Sequence, residues 1–265
     1  MTSAQLLYAF QFHRDCFEPA YSNLILRFSH EYVPSRPEAY PAGLSWPAPD
    51  VVIDNLGKVA QLHYPPFISP ILHPDSPAIP PTFQNIAAVT SSAHPAISRL
   101  SCALLHPNEP SCLKNFGNFS IHELTRVLKY VLTAYSVSAL LRHNRKQQAP
   151  QLILNILKDS LRATLFITMA IGTSWGSICG LQRILPTKFL STRRFFISGF
   201  LGGLWAVVDR ENGRGRYLYS LRLSLESTWK VLVKLRYVRP IPYSLFLCPL
   251  TIGMETFTCL LSPWA

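Results

Sequence analysis

Cys102, His106 and Cys112 lie within eleven residues of one another in the stretch SCALLHPNEPSC, a close grouping of residue types that bind transition metals. Thiolate and imidazole are ligands that zinc takes, but a closed tetrahedral site needs a fourth. His94 is the candidate for that position along the chain. Neither a CxxC nor an HxxxH accompanies the three, so their spacing matches no standard finger. The plainer reading has Pro107 and Pro110 shaping a turn, His106 hydrogen-bonding locally and the cysteines packing as small apolar groups. On that reading neither a metal nor a cofactor is expected.

Other chemistry is sparse. The chain has no P-loop and no dinucleotide fingerprint, and Ser177, in WGSICG, falls in the middle of an apolar run. No catalytic residue is assigned, and an enzyme is not expected. Two charges draw notice by their place, Glu255 inside the last apolar run and Arg162 at the edge of an earlier one. Charge in hydrocarbon is costly and commonly marks a pathway. The alternative for Glu255 is an interface position.

The elements that carry these residues read as membrane helices. The chain is 48% hydrophobic and 15% charged, with a mean hydropathy of +0.17, more apolar and less charged than ordinary soluble domains. The net charge of +11 is unevenly placed: residues 1–112 sum to −3 and residues 113–265 to +14. The basic residues sit in connections such as RHNRK (142–146) and STRRFF (191–196), as they do beside membrane spans. Neither an aromatic-basic RNA-binding motif nor a finger spacing is present, so nucleic acid is not expected as a partner. The first twenty residues lack a basic stretch followed by an apolar one, and Asp15 and Glu18 make a poor presequence.

Sixteen of the twenty-two prolines fall in residues 1–110, which excludes long helices there. Residues 1–112 are therefore expected to be a proline-rich, mostly irregular region with short helices. Residues 113–265 form the expected helical membrane domain. Ser120 and Glu123 resemble a capping box, opening a helix whose apolar part, 127–141, is the first candidate span. Gln151–Leu161 reads as a short amphipathic approach helix. Ala163–Gln182 is twenty residues without charge, enough to cross about 30 Å of hydrocarbon. Residues 195–208 and 241–261 are further candidates, and an amphipathic helix is expected over 217–237, with Arg222, Glu226 and Lys230 on one face and Leu221, Leu225, Trp229 and Leu232 on another. If the spans alternate, the connections 142–162 and 209–239 hold thirteen Lys and Arg on one side against four in 183–194 on the other. That side should face the cytosol or the matrix.

Gly172, Gly176 and Gly180 recur every fourth residue in one uncharged run, and Gly199 and Gly203, with Gly202 beside them, repeat the spacing in the next. Each glycine costs a helix in water about 0.5–1 kcal/mol relative to alanine. In lipid, small residues let backbones approach closely, and that packing drives association. The glycines are assigned to helix packing, within one chain or between chains, so the lipid bilayer, a second copy and other membrane proteins are the expected partners.

HPNEPSC, the helix ending SALLRHNRK, the glycine-rich span and the block RRFFISGFLGGLWAVVDRENGRGRYLYSLRLSLESTW, trailed by KLRYVRPIPY, resemble the transmembrane protein 135 family in its fungal form, over roughly residues 65 to 245. The resemblance implies a multi-span integral protein of mitochondrial, peroxisomal or lipid-droplet-associated membranes, linked to organelle dynamics and lipid metabolism, without established catalysis. That family is distantly similar to the mitochondrial inner-membrane translocase channels, whose arginine-then-aspartate signature this chain lacks. Its members tend to be longer, with a further helical half, which leaves a short paralogue or a truncated form open. The expected protein is thus all-α and multi-span, with short glycine-lined helices. It would act without catalysis in an organellar membrane, mitochondrial or peroxisomal, in organelle dynamics or lipid handling. The alternative is a transporter or pore for lipid, metabolite or polypeptide.

Overall fold

A computed structural model describes residues 1–33, 36, 37, 40, 45–74, 79–141, 149–210 and 213–239. The candidate span 241–261, Glu255 within it and the basic connection 142–146 lie outside the described residues. What is described is all-α, with no strand; a single antiparallel bridge joins Pro66 to Arg99.

The proline-rich part folds as a succession of short helices: α1 (Thr2–Phe12), α2 (Pro19–Arg27), α3 (Pro49–Gln61), α4 (Ala87–Ser91) and α5 (Leu100–Leu105). Pro19 and Pro49 open α2 and α3, where the missing N–H costs nothing because no intrahelical acceptor exists. In α3, Val52, Ile53, Leu56, Val59 and Ala60 are all buried, the i, i+1, i+4, i+7, i+8 set of one helix face. This half is more than a collection of turns. It supplies most of the buried core, from Leu6 and Phe10 through Phe83 and Ile86 to Leu104 and Leu105, because each short helix still presents one complete apolar face.

Four longer elements follow. α6 runs from Cys112 to Leu141, α7 from Ala149 to Ile184, α8 from Arg194 to Gly203 with a 3-10 turn to Val207, and α9 from Arg214 to Lys234. α6 packs along α7, α7 along α8, and α1 lies against both α8 and α9. The core is continuous across residue 112, since Phe119, Trp175, Ile178, Cys179, Phe195 and Leu223 pack in one cluster with the N-terminal helices.

Three local expectations change. Ser120 is interior to α6, its Oγ donating to the Phe116 carbonyl at 2.8 Å, and the cap is Ser111, whose Oγ accepts the Lys114 N–H at 3.3 Å. Nothing between Cys112 and Ser120 breaks a helix, so the helix extends back to the proline turn. The approach helix and the uncharged run 163–182 merge into one α7 of 36 residues, about 54 Å long. In α9 the buried stripe is Leu223, Ser224, Ser227 and Val231, while Leu221 and Leu225 are exposed. Arg222, Glu226 and Lys230 do lie one turn apart, with Lys230 and Glu226 paired at 2.7 Å.

The turn after α7 is held by Arg194, fully buried, whose guanidinium donates to the carbonyls of Leu185, Pro186 and Phe189 and stacks 4.9 Å from the centre of the Tyr64 ring. These carbonyls lack helical partners once α7 ends. Tyr64 in turn donates to the Ser191 carbonyl at 2.8 Å. One arginine therefore closes the end of α7 and docks the loop after α3 onto it.

Candidate functional site: glycine faces and a Cys/His cluster

No described glycine has a positive φ, so none is present to make a left-handed turn. Space is the remaining reason. A Cβ on Gly199 would stand 2.6 Å from the Ser3 carbonyl oxygen and 2.9 Å from the Ala4 Cα, both backbone atoms of α1. Gly203 meets the Ser3 side chain, and Gly202 turns the other way, onto the Ala170 carbonyl and the Ser174 side chain of α7. α8 is thus wedged between α1 and α7 by glycines on its two sides. Gly172 lies under Phe119 and Phe116 of α6, with ring carbons 2.8–3.2 Å from a built Cβ, and Gly176 lies under Phe116 and the Tyr32 hydroxyl. Gly180 faces open space.

The α7 stripe is longer than its glycines. Ser160, Thr164 and Thr168 precede Gly172 at the same four-residue step and are buried, so one face of α7 is small from residue 160 to residue 176. Their hydroxyls find no hydrogen-bond partner among the described residues. The sequence carries this signal once serine and threonine are counted with glycine. Trp175 is a core residue: it is 1% exposed, and its indole N–H donates to Ser29 Oγ at 2.8 Å. Trp205 donates likewise to Thr173 Oγ1 at 2.8 Å. Arg162 is half-buried on α7.

Cys102, His106 and Cys112 come together, and the fourth member of their group is Cys179, from α7, 67 residues further on. The ligand atoms of all four lie within 4.8 Å of one another. His94 takes no part; it is exposed, and its Nδ1 accepts the Ala96 N–H at 3.1 Å. α5 supplies Cys102, and His106 caps the same helix one turn later, its N–H bonded to the Cys102 carbonyl. Cys112 opens α6, and Cys179 comes in near the end of α7. Cys102, His106 and Cys179 are buried and Cys112 is half-buried.

Within the cluster the Cys102 and Cys112 sulfurs are 3.9 Å apart, and the Cys179 sulfur is 3.6 Å from His106 Nε2. His106 Nδ1 lies 2.6 Å from the Glu109 carbonyl. A carbonyl only accepts, so Nδ1 carries a proton, and Nε2 is the nitrogen that faces the sulfurs. Burial opposes the imidazolium, but the side chains of Cys102 and Cys112 and the Glu109 carbonyl outweigh it and raise the His106 pKa to about 10. The Cys112 thiol is held well below the ordinary range, by Cys102 first and then by Cys179 and His106. Beside Cys102 and Cys112 lies a cavity of about 130 Å³ whose walls include Arg99 and Arg183.

No family model, curated protein or solved structure matches the chain. The site is therefore characterised by its own chemistry. The turn expected at HPNEPSC is present, and it aims the imidazole into a sulfur-lined recess. Cys179 escaped the reading because nothing in its local spacing marks it, and only the folding of α7 against α5 brings it near.

Proposed function

We propose that the chain is a non-catalytic integral membrane protein of a mitochondrial or peroxisomal membrane, acting in organelle dynamics or lipid handling through helix packing and partner contacts. The observation that carries this reading is the surface of α7. Pro150–Ile184 is the one described helix long and apolar enough to cross a bilayer, and only a third of its most apolar 18-residue window is buried. A core helix of a soluble domain would be mostly covered. Ile153, Leu154, Leu157 and Leu161 of α7, Phe200 of α8 and Leu204 and Val207 in the turn after it are exposed as well. Large apolar side chains exposed in this number call for a covering phase or partner.

In this reading α7 spans the bilayer, the shorter apolar segment Arg194–Val207 and the second half of α6 accompany it, and the short N-terminal helices cover the end of α7 on one side. The resemblance to the transmembrane protein 135 family supports the organellar address. The test is alkaline carbonate extraction of purified mitochondrial and peroxisomal fractions, followed by immunoblotting. Retention in one organelle's pellet is the expected result. Release into the supernatant overturns the membrane reading and leaves the apolar faces to a protein partner.

A further inference from the structure

We infer that Cys102, His106, Cys112 and Cys179 are the ligands of a structural zinc ion. The argument rests on geometry. A tetrahedral zinc with Zn–S near 2.3 Å and Zn–N near 2.0–2.1 Å sets its sulfurs about 3.8 Å apart and sulfur to nitrogen about 3.5 Å apart. The observed edges are 3.9 Å for Cys102 to Cys112 and 3.6 Å for Cys179 to His106, and every other edge is within 4.8 Å. Three sulfurs and a nitrogen at these separations are more than a packing of small apolar groups needs.

The surroundings agree with the ligand set. A zinc-bound histidine almost always donates its second N–H to a carboxylate, carbonyl or water, which fixes tautomer and ring orientation; His106 does so to Glu109 at 2.6 Å. Three thiolates, a neutral imidazole and a divalent ion sum to −1. Arg99 and Arg183 line the adjoining cavity, and Arg99 Nη1 is buried without a hydrogen-bond partner among the described residues, so cationic groups stand beside the net negative centre. That cavity reaches Cys102 and Cys112 and offers the ion a route in. Soft thiolates with one imidazole in a tetrahedron favour zinc over hard cations such as magnesium or calcium. All four positions are filled by protein, which is the mark of a structural rather than a catalytic site.

The ion would tie α5, the HPNEPSC turn, the start of α6 and the end of α7 at one point. Folding of the N-terminal helices onto α7 then depends on metal. The inference goes beyond the membrane reading and does not depend on it, since the four ligands come together whether α7 meets lipid or protein.

The test is metal analysis of the full chain purified under reducing conditions without chelator, together with cobalt(II) titration of the apoprotein. Close to one equivalent of zinc per chain is expected, and cobalt should give the visible d–d bands and thiolate charge-transfer absorption of a tetrahedral sulfur-rich site. Cys179→Ser and Cys112→Ser should lose most of the bound zinc, whereas Cys16→Ser, at a buried cysteine outside the cluster, should keep it. Removal of zinc should lower the thermal midpoint by ~10 °C or more. The cobalt spectrum of the unaltered chain decides the matter even if the cysteine variants fail to fold. A chain without metal and without tetrahedral cobalt absorption overturns the inference. So does a Cys102–Cys112 disulfide in the metal-free protein, copper or iron in place of zinc, or equal loss of zinc in Cys16→Ser.

Discussion

Single residues in this fold are constrained mainly by space and by the pairing of buried polar groups. Gly199 touches backbone, which cannot turn aside as a side chain can, so Gly199→Ala should cost about 1–3 kcal/mol. Gly180 faces open space, and Gly180→Ala should be neutral or stabilising by up to about 1 kcal/mol. Denaturant titration of both variants in one detergent reads the difference. Equal effects would mean that the α1–α8 approach is not a real constraint. At the end of α7, Arg194→Met keeps much of the apolar stem but strips the donors from three carbonyls. Pro186 keeps the Phe189 N–H at 3.0 Å, but leaving the part-buried Leu185 and Phe189 acceptors without the guanidinium should cost about 1–3 kcal/mol, measured by the same titration, and a change below about 0.5 kcal/mol would show that water replaces the guanidinium.

At the scale of elements, the question is what each helix presents outward. α8 is pinned by glycines on two sides and still exposes Phe200, 42% accessible, and Leu204, 52% accessible. In water, Phe200→Asp would cost only the packing of the covered part of the side chain, about 1 kcal/mol, since 42% of the residue is accessible. In a bilayer a carboxylate at that place raises the insertion cost by about 2.5–3.5 kcal/mol. The expected outcome is a sharp loss of membrane-retained protein in pulse-chase fractionation. Unchanged abundance and retention would instead place this face in water. α6 shows the limit of local signals: Ser120 and Glu123 satisfy a capping pattern, yet a helix that can extend backwards without a breaker does so until Pro110 and Ser111 stop it.

For the whole molecule, the boundary that composition draws near residue 112 is not a boundary in packing. Trp175, Ile178 and Phe195 complete the core of the N-terminal helices. Trp175 bonds Ser29, Tyr64 bonds Ser191, and Ser101 bonds Gln182 across the same divide. Residues 1–112 expressed alone should therefore show no cooperative thermal transition by circular dichroism, and co-expression with residues 113–265 should restore one. A cooperative transition in the isolated fragment would make the N-terminal half an autonomous domain. The charge asymmetry of −3 against +14 survives as a property of surfaces and connections, not of separate folding units.

What the sequence determined by itself is what is written in short-range pattern: an all-α chain, short helices where prolines cluster, one long apolar helix through 163–182, and glycines spaced for close approach. These follow from periodicity and steric rules that act within a few turns. Only the tertiary structure decided which surfaces those glycines meet, with Gly199 against α1, Gly202 against α7 and Gly172 under the rings of α6, because a four-residue step names a face and not its neighbour. The same holds for the cluster. Cys102, His106 and Cys112 were legible as a group because they lie within eleven residues of one another, whereas Cys179 is brought to them by the placing of α7 beside α5. A ligand 67 residues away in sequence leaves no local trace, and its place is settled by the burial of the helix that carries it.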